Sequence, residues 1–135
     1  MTGSNPQGQY TSLKLDKSLV ATGDTLTVTG TYTADSAVTG VTAGTLTPAV
    51  TNGAGCSSST GPTLVSGDNN ISNNTDSVVY RWTCVVSAGS NPGTIKWSAG
   101  GSGSGAVTFP SATTNSSLVS PPLTYTATIN SGAPD

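Results

Sequence analysis

The chain contains no histidine and no glutamate, and its six acidic residues are all aspartate. Groups that exchange protons near neutral pH are therefore scarce, and general acid–base chemistry has almost nothing to work with. Serine is abundant, but no serine has a histidine partner or a Ser-x-x-Lys spacing, so an activated nucleophile is not expected either. Charged residues make up 7% of the chain and the formal net charge is −2. A basic stripe for nucleic acid or an anionic membrane surface is excluded by that balance. No apolar run approaches the roughly 20 residues of a membrane span, and the N-terminal residues lack the basic and apolar regions of a signal peptide. The expectation is a noncatalytic protein with no cofactor.

Serine, threonine, asparagine and glycine fill the space that charge leaves, a hydroxyl-rich surface chemistry that suits an extracellular or cell-surface setting. At 135 residues the chain is about one domain, long enough for a core of two packed layers. There are two cysteines, Cys56 and Cys84. One disulfide is the simplest reading of such a pair, with two unpaired buried thiols as the alternative. Two thiolates without histidine cannot complete a tetrahedral zinc shell.

Period-two patterning supplies the strands. In residues 23–33, GDTLTVTGTYT, Leu26, Val28 and Tyr32 share one parity and Thr25, Thr27, Thr29, Thr31 and Thr33 the other, as in a central strand with one buried and one wet face. Gly30 falls on the inward parity and lets another backbone or a large ring come close. A first strand is expected over 10–19, with Leu13, Leu15 and Leu19 inward and Lys14 on the other face, where charge discourages unwanted edge pairing. Another is expected over 38–46, ended by Pro48. Residues 50–74 read as a long irregular excursion with one or two short strands. Clear alternation returns over 78–86, with Tyr80, Trp82, Cys84 and Val86 on one face. Residues 94–99 follow with Ile95, Trp97 and Ala99 inward, as the neighbouring strand of a hairpin. GGSGSG at 100–105 has no side chains to pack and reads as a flexible or bulged loop. A last strand is expected over 118–129, interrupted by Pro121 and Pro122, with Leu123, Tyr125, Ala127 and Ile129 inward. Seven or more short strands with no helix-period segment and no internal repeat predict an all-β sandwich over 10–130, with polar tails at 1–9 and 131–135.

The order of these pieces resembles the immunoglobulin-like conserved-repeat domains of bacterial and archaeal surface and secreted proteins. The matching pieces are GDTLTVTGTYT after a short first strand, TGV at 39–41, TGP at 60–62, YRWTCVVSAGSNPGTIKWSAGG at 80–101 and the late threonine-rich strand. The resemblance implies an immunoglobulin-like sandwich acting as a spacer, stalk or adhesive module, with no catalytic residues. Two departures are the cysteine pair and the replacement by 33–35 of an asparagine that such domains often carry after the central strand.

Candidate sites are few. Asp68, Asn70 and Asp76 place oxygens at intervals a calcium loop would use, but a sharp-turn glycine and a bidentate glutamate are missing, and a polar turn-rich loop explains the run. Asn70, Asn73 and Asn115 each open an Asn-X-Ser/Thr sequon. The outward threonines Thr25 to Thr33 could face ice or carbohydrate, although sheet twist spoils a flat array. Trp82 and Trp97 could stack on sugars, but their parity makes them core residues first. Lys14 or Lys17 with Asn130 suggests an intramolecular isopeptide bond, for which the promoting buried acid is lacking. The expected role is a spacer in a surface protein or a fibre subunit. The alternative is an adhesion module binding a glycan, a protein or ice. Expected partners are copies of the chain itself or neighbouring domains, with strand addition of the N-terminal tail onto a sheet edge as one route.

Overall fold

A computed structural model describes residues 8–122, which form ten strands in two packed sheets. They are β1 (Gln9–Leu15), β2 (Leu19–Ala21), β3 (Thr25–Ala34), β4 (Thr42–Ala43), β5 (Thr47–Val50), β6 (Gly55–Leu64), β7 (Val78–Ser87), β8 (Gly93–Gly103), β9 (Val107–Thr113) and β10 (Ser117–Ser120). One sheet runs β1-β3-β7-β6. In the other, β8 is the spine, with β10 and β9 pairing along it, β4 and β5 also pairing with it, and β2 joined to β10. In chain order β1-β3-β7-β6 and β10-β8-β4 follow the ABED and GFC strand orders of immunoglobulin-like sandwiches, with β2, β5 and β9 added to the second sheet. All pairings are antiparallel except β2 with β10, which is parallel.

β3 behaves as its alternation dictates. Leu26, Val28, Gly30, Tyr32 and Ala34 are buried, and the intervening threonines are exposed or half-buried. A Cβ placed on Gly30 would lie 2.9 Å from Trp82 Cζ3 and 3.1 Å from Leu13 Cδ2, so the glycine makes room for an indole ring. Gly30→Val is expected to cost about 1–3 kcal/mol by overpacking, readable as a lower urea midpoint with an unchanged m value.

The first strand divides rather than running through 10–19. Asp16 N–H donates to Thr27 C=O on one sheet, and Ser18 C=O accepts from Leu118 N–H on the other. Only Lys17 separates these bonds, so the chain crosses between sheets without reversing. The crossing resets the parity: Val20 is buried and Leu19, expected inward, is 62% exposed. Asp16 holds the crossing by accepting the Thr27 N–H at 2.8 Å and the Lys17 ammonium at 3.0 Å. Partial burial opposes ionisation of Asp16, but those two donors outweigh it and hold the carboxyl below its ordinary value.

Other expectations are corrected by topology. Residues 78–86 and 94–99 do not form a hairpin, because β7 and β8 belong to different sheets and the link between them crosses the sandwich. Two strands that each carry one apolar face bury more surface when those faces oppose each other than when they lie side by side. The expected strand over 38–46 reduces to a single bridge from Val38 to Ile71 and the two-residue β4. Pro48 does not end it but sits inside β5, opposite Trp97. The excursion at 50–74 contains a ten-residue strand, β6, whose exposed Ser/Thr sequence carries no alternation to betray it. The GGSGSG loop is mostly strand: Gly100 to Gly103 belong to β8, with a register shift between Ala99 and Gly101. Tyr32 fills the space that side chains would have taken there, with its Oη donating to Gly100 C=O at 2.8 Å. At the N-terminal boundary, Gln9 belongs to β1 rather than to a tail. Residues 123–129, the second half of the expected last strand, lie outside the described residues, as do residues 1–7 of the tail.

The core has two parts. The larger gathers Leu13, Val20, Leu26, Val28, both tryptophans, Cys84, Val86, Ile95 and Val119; the smaller gathers Tyr32, Val38, Val41, Ile71, Val78 and Phe109. Tyr32 lies edge-on to Phe109 at 5.3 Å and to Tyr80 at 6.1 Å. Burial, and then the neighbouring Tyr80, push the Tyr32 phenol up to about 12. The folded chain therefore keeps that proton between pH 10 and 12 while the unfolded chain loses it. Stability is expected to fall across that window by about 2–3 kcal/mol. Unfolding free energies measured from pH 9 to 12 should show this slope, and Tyr32→Phe should flatten it.

Candidate functional site

Cys56 and Cys84 are bonded, with Sγ–Sγ 2.03 Å and Cα–Cα 5.4 Å. Their strands β6 and β7 are neighbours in one sheet, so the bond clips an edge strand to an inner strand instead of joining the two sheets. Cys84 is buried at 3% exposure, whereas Cys56 is exposed.

Beside the disulfide the sandwich is open. A groove of about 640 Å³ runs between β6 and the β4–β5 margin of the opposite sheet. Pro48 and Val50 stand opposite Trp97 and Ile95 on β8, so they share the inward face with those buried residues. Yet Val50 is 45% exposed and Pro48 is exposed too, because β6 does not reach across to cover them. Leu46, Ala54 and Pro62 add further apolar lining, and the disulfide and the edges of both tryptophans close the floor.

Trp82 is oriented by two glycines. Its benzo edge lies against Gly30, and its Cδ1 would be 3.0 Å from a Cβ on Gly61, which places the pyrrole edge toward β6 and the groove. Gly61 has φ +106°, and any side chain there would meet both backbone and indole. The adjoining Nε1 is buried and has no acceptor among the described residues. Such a donor normally finds a partner when buried.

The chain matches no family model, no curated protein and no solved structure. Its functional reading therefore rests on its own geometry.

The structure disperses the other candidates. Asp68 Oδ1 accepts Asn70 N–H, and Asn70 Oδ1 accepts Gly40 N–H. Asp76 accepts the Ser72 amide and hydroxyl and the Ser77 amide, which hold its carboxyl below the ordinary value. These oxygens knit the loop rather than converge, and no cluster of three metal-binding side chains occurs among the described residues. Asn70, Asn73 and Asn115 are all exposed outside the strands, where a sequon can be reached. Thr25, Thr27, Thr29, Thr31 and Thr33 line the outer face of β3, flanked by Lys14 on β1 and Arg81 on β7, both level with Thr29. Lys14 is exposed and Lys17 is hydrogen-bonded to Asp16 and to Thr25 C=O, so neither amine is buried as an isopeptide bond requires. Asn130 lies outside the described residues. Trp82 and Trp97 are each 3% exposed, which makes them floor and core rather than a sugar platform. The sequence reading missed Leu46, Pro48, Val50 and Gly61. An apolar alternation across Pro48 is the one signal for Leu46, Pro48 and Val50, and Gly61 carries none.

Proposed function

We propose that the protein is a noncatalytic extracellular structural module, a spacer of a surface assembly or a subunit of a fibre. The direction of its outer strands carries this reading. β1 passes into β2 without reversing, and β2 runs parallel to β10. The described chain thus enters β1 at one pole of the sandwich and leaves β10 at the opposite pole. Tension applied through those two strands loads their hydrogen bonds in shear, all together, instead of peeling them one by one. β1 meets β3 over seven residue pairs, and β2 meets β10 over three. The disulfide supports the same role, because it holds the exposed edge strand β6 to the load-sharing sheet.

Pulling single molecules by their two ends tests this. The expected trace is one cooperative rupture, and reduction of the disulfide should lengthen the released chain by roughly 90–100 Å, the extended length of its closed loop. Gradual unravelling from β10 at low load would sink the load-bearing role. The hydroxyl-rich face of β3 leaves adhesion as the second reading, with the exposed threonine row as its surface.

A further inference from the structure

We infer that the outer face of the β1-β3-β7-β6 sheet binds a linear acidic glycan, one with a carboxylate or sulfate on alternate sugars, along a row of residues that crosses the four strands. The inference deepens the adhesion reading by naming its ligand class, and it rests on that reading.

Register builds the row. Lys14 on β1 stands opposite Thr29 on β3, Thr29 opposite Arg81 on β7, and Arg81 opposite Thr63 on β6. Directly opposite residues share a face, and the buried chain neighbours Leu13, Val28, Gly30 and Trp82 make this the outward one. Lys14, Arg81 and Thr63 are exposed, with Thr29 half-buried between the two cations. Half of the chain's four basic residues therefore stand on one line. They are two strand spacings, or about 10 Å, apart.

Carboxylates are kept off this line. None of the four strands contains an aspartate. Asp16, two residues beyond Lys14, is neutralised by Lys17 in the one ion pair among the described residues. Asp35, which accepts the Tyr10 hydroxyl, is six residues along the chain from Thr29, about 20 Å in extended backbone. Asp24, Asp68 and Asp76 lie in loops and turns. A chain of net charge −2 thus presents one sheet face whose strands carry cations and no acid. Hydroxyls flank the row on both sides, Ser12 opposite Thr31 on one and Thr27 opposite Thr83 on the other.

Spacing and surface chemistry select the occupant. Each strand of duplex DNA carries a phosphate about every 3.4 Å of helix axis, so two cations about 10 Å apart would leave most of that charge unmet. A protein partner needs a desolvated aromatic or aliphatic anchor, and the row has none. An extended glycan with acidic groups on alternate sugars presents widely spaced charge with hydroxyls between, which suits Thr29 and its neighbours. The planar Arg81 guanidinium can meet a carboxylate or sulfate with two parallel hydrogen bonds, and the Lys14 ammonium meets the next one as a point charge. Two exposed cations bind weakly on their own, and copies arrayed on a surface or fibre multiply the effect by avidity.

Titration of the isotope-labelled full chain with hyaluronan and chondroitin sulfate octasaccharides, followed by NMR amide shifts, tests the assignment. Shifts are expected at Lys14, Thr29, Arg81 and their row neighbours, with binding that weakens as salt passes about 0.1 M, where the Debye length is about 10 Å. Lys14→Gln and Arg81→Gln should each raise Kd about two- to fivefold, without moving the thermal midpoint, because both positions are exposed. Lys96→Gln removes a cation exposed on β8 in the other sheet and should change nothing. Equal weakening by Lys96→Gln would mean that net charge alone is read, which overturns the inference, as does tighter binding of oligothymidylate than of either glycan. Binding of neutral dextran oligosaccharides that Thr29→Val weakens and Lys14→Gln does not would keep adhesion and overturn the acidic ligand. No shift with any of these glycans overturns the inference and the adhesion reading together, while the pulling experiment still decides the spacer role.

Discussion

Trp82→Ala is expected to destabilise the fold by about 3–5 kcal/mol, as removal of a large core aromatic does. The indole fills the space between Gly30 on β3 and Gly61 on β6, at 3% exposure, and joins residues of both sheets in the larger core. The glycines that flank the ring have no side chains with which to fill the void. The indole Nε1 offsets part of the loss, because deleting the ring also deletes a buried donor that has no acceptor among the described residues. Urea denaturation at neutral pH measures the difference. A change below about 1 kcal/mol would mean that the groove lets the sheets close over the vacancy.

Reducing the Cys56–Cys84 bond, or replacing both cysteines by serine, is expected to lower stability by roughly 3.5 kcal/mol for the 28-residue separation, on the chain-entropy account. The effect should be concentrated in β6. Every residue of that strand after Gly55 is exposed, and its pairing with β7 is broken by two register shifts. Without the bond, β6 has little buried apolar surface to hold it. Hydrogen exchange of the reduced protein should show β6 amides losing protection while those of β3 and the inner part of β7 keep theirs. Uniform loss of protection across both sheets would contradict this. Because Cys56 is exposed, mild reductant should reach the bond without prior unfolding.

Scarcity of charge, absence of histidine and strict alternation in β3 and β7 were enough to determine an all-β chain and to name its central strands. Alternation reports which face of a strand is buried, and in those strands local pattern and final burial agree at every position except Tyr80, which is half-buried like its outward neighbour Val79. The cysteine pair was also legible, since two isolated cysteines leave one pairing. Which strands face each other was not. β7 and β8 have the same signature whether they pair side by side or oppose each other across a core, and only the packing of two apolar faces decides between those. β6 was hidden because an edge strand wet on both faces has no period to detect. The glycine run at 100–103 looked unstructured because its strand is specified from elsewhere, by the Tyr32 ring that needs the room. The groove is likewise a property of tertiary structure alone. Pro48 and Val50 lie on the inward face by register, and they are left uncovered because β6 ends short of them in space, a distance that no residue in the sequence encodes by itself.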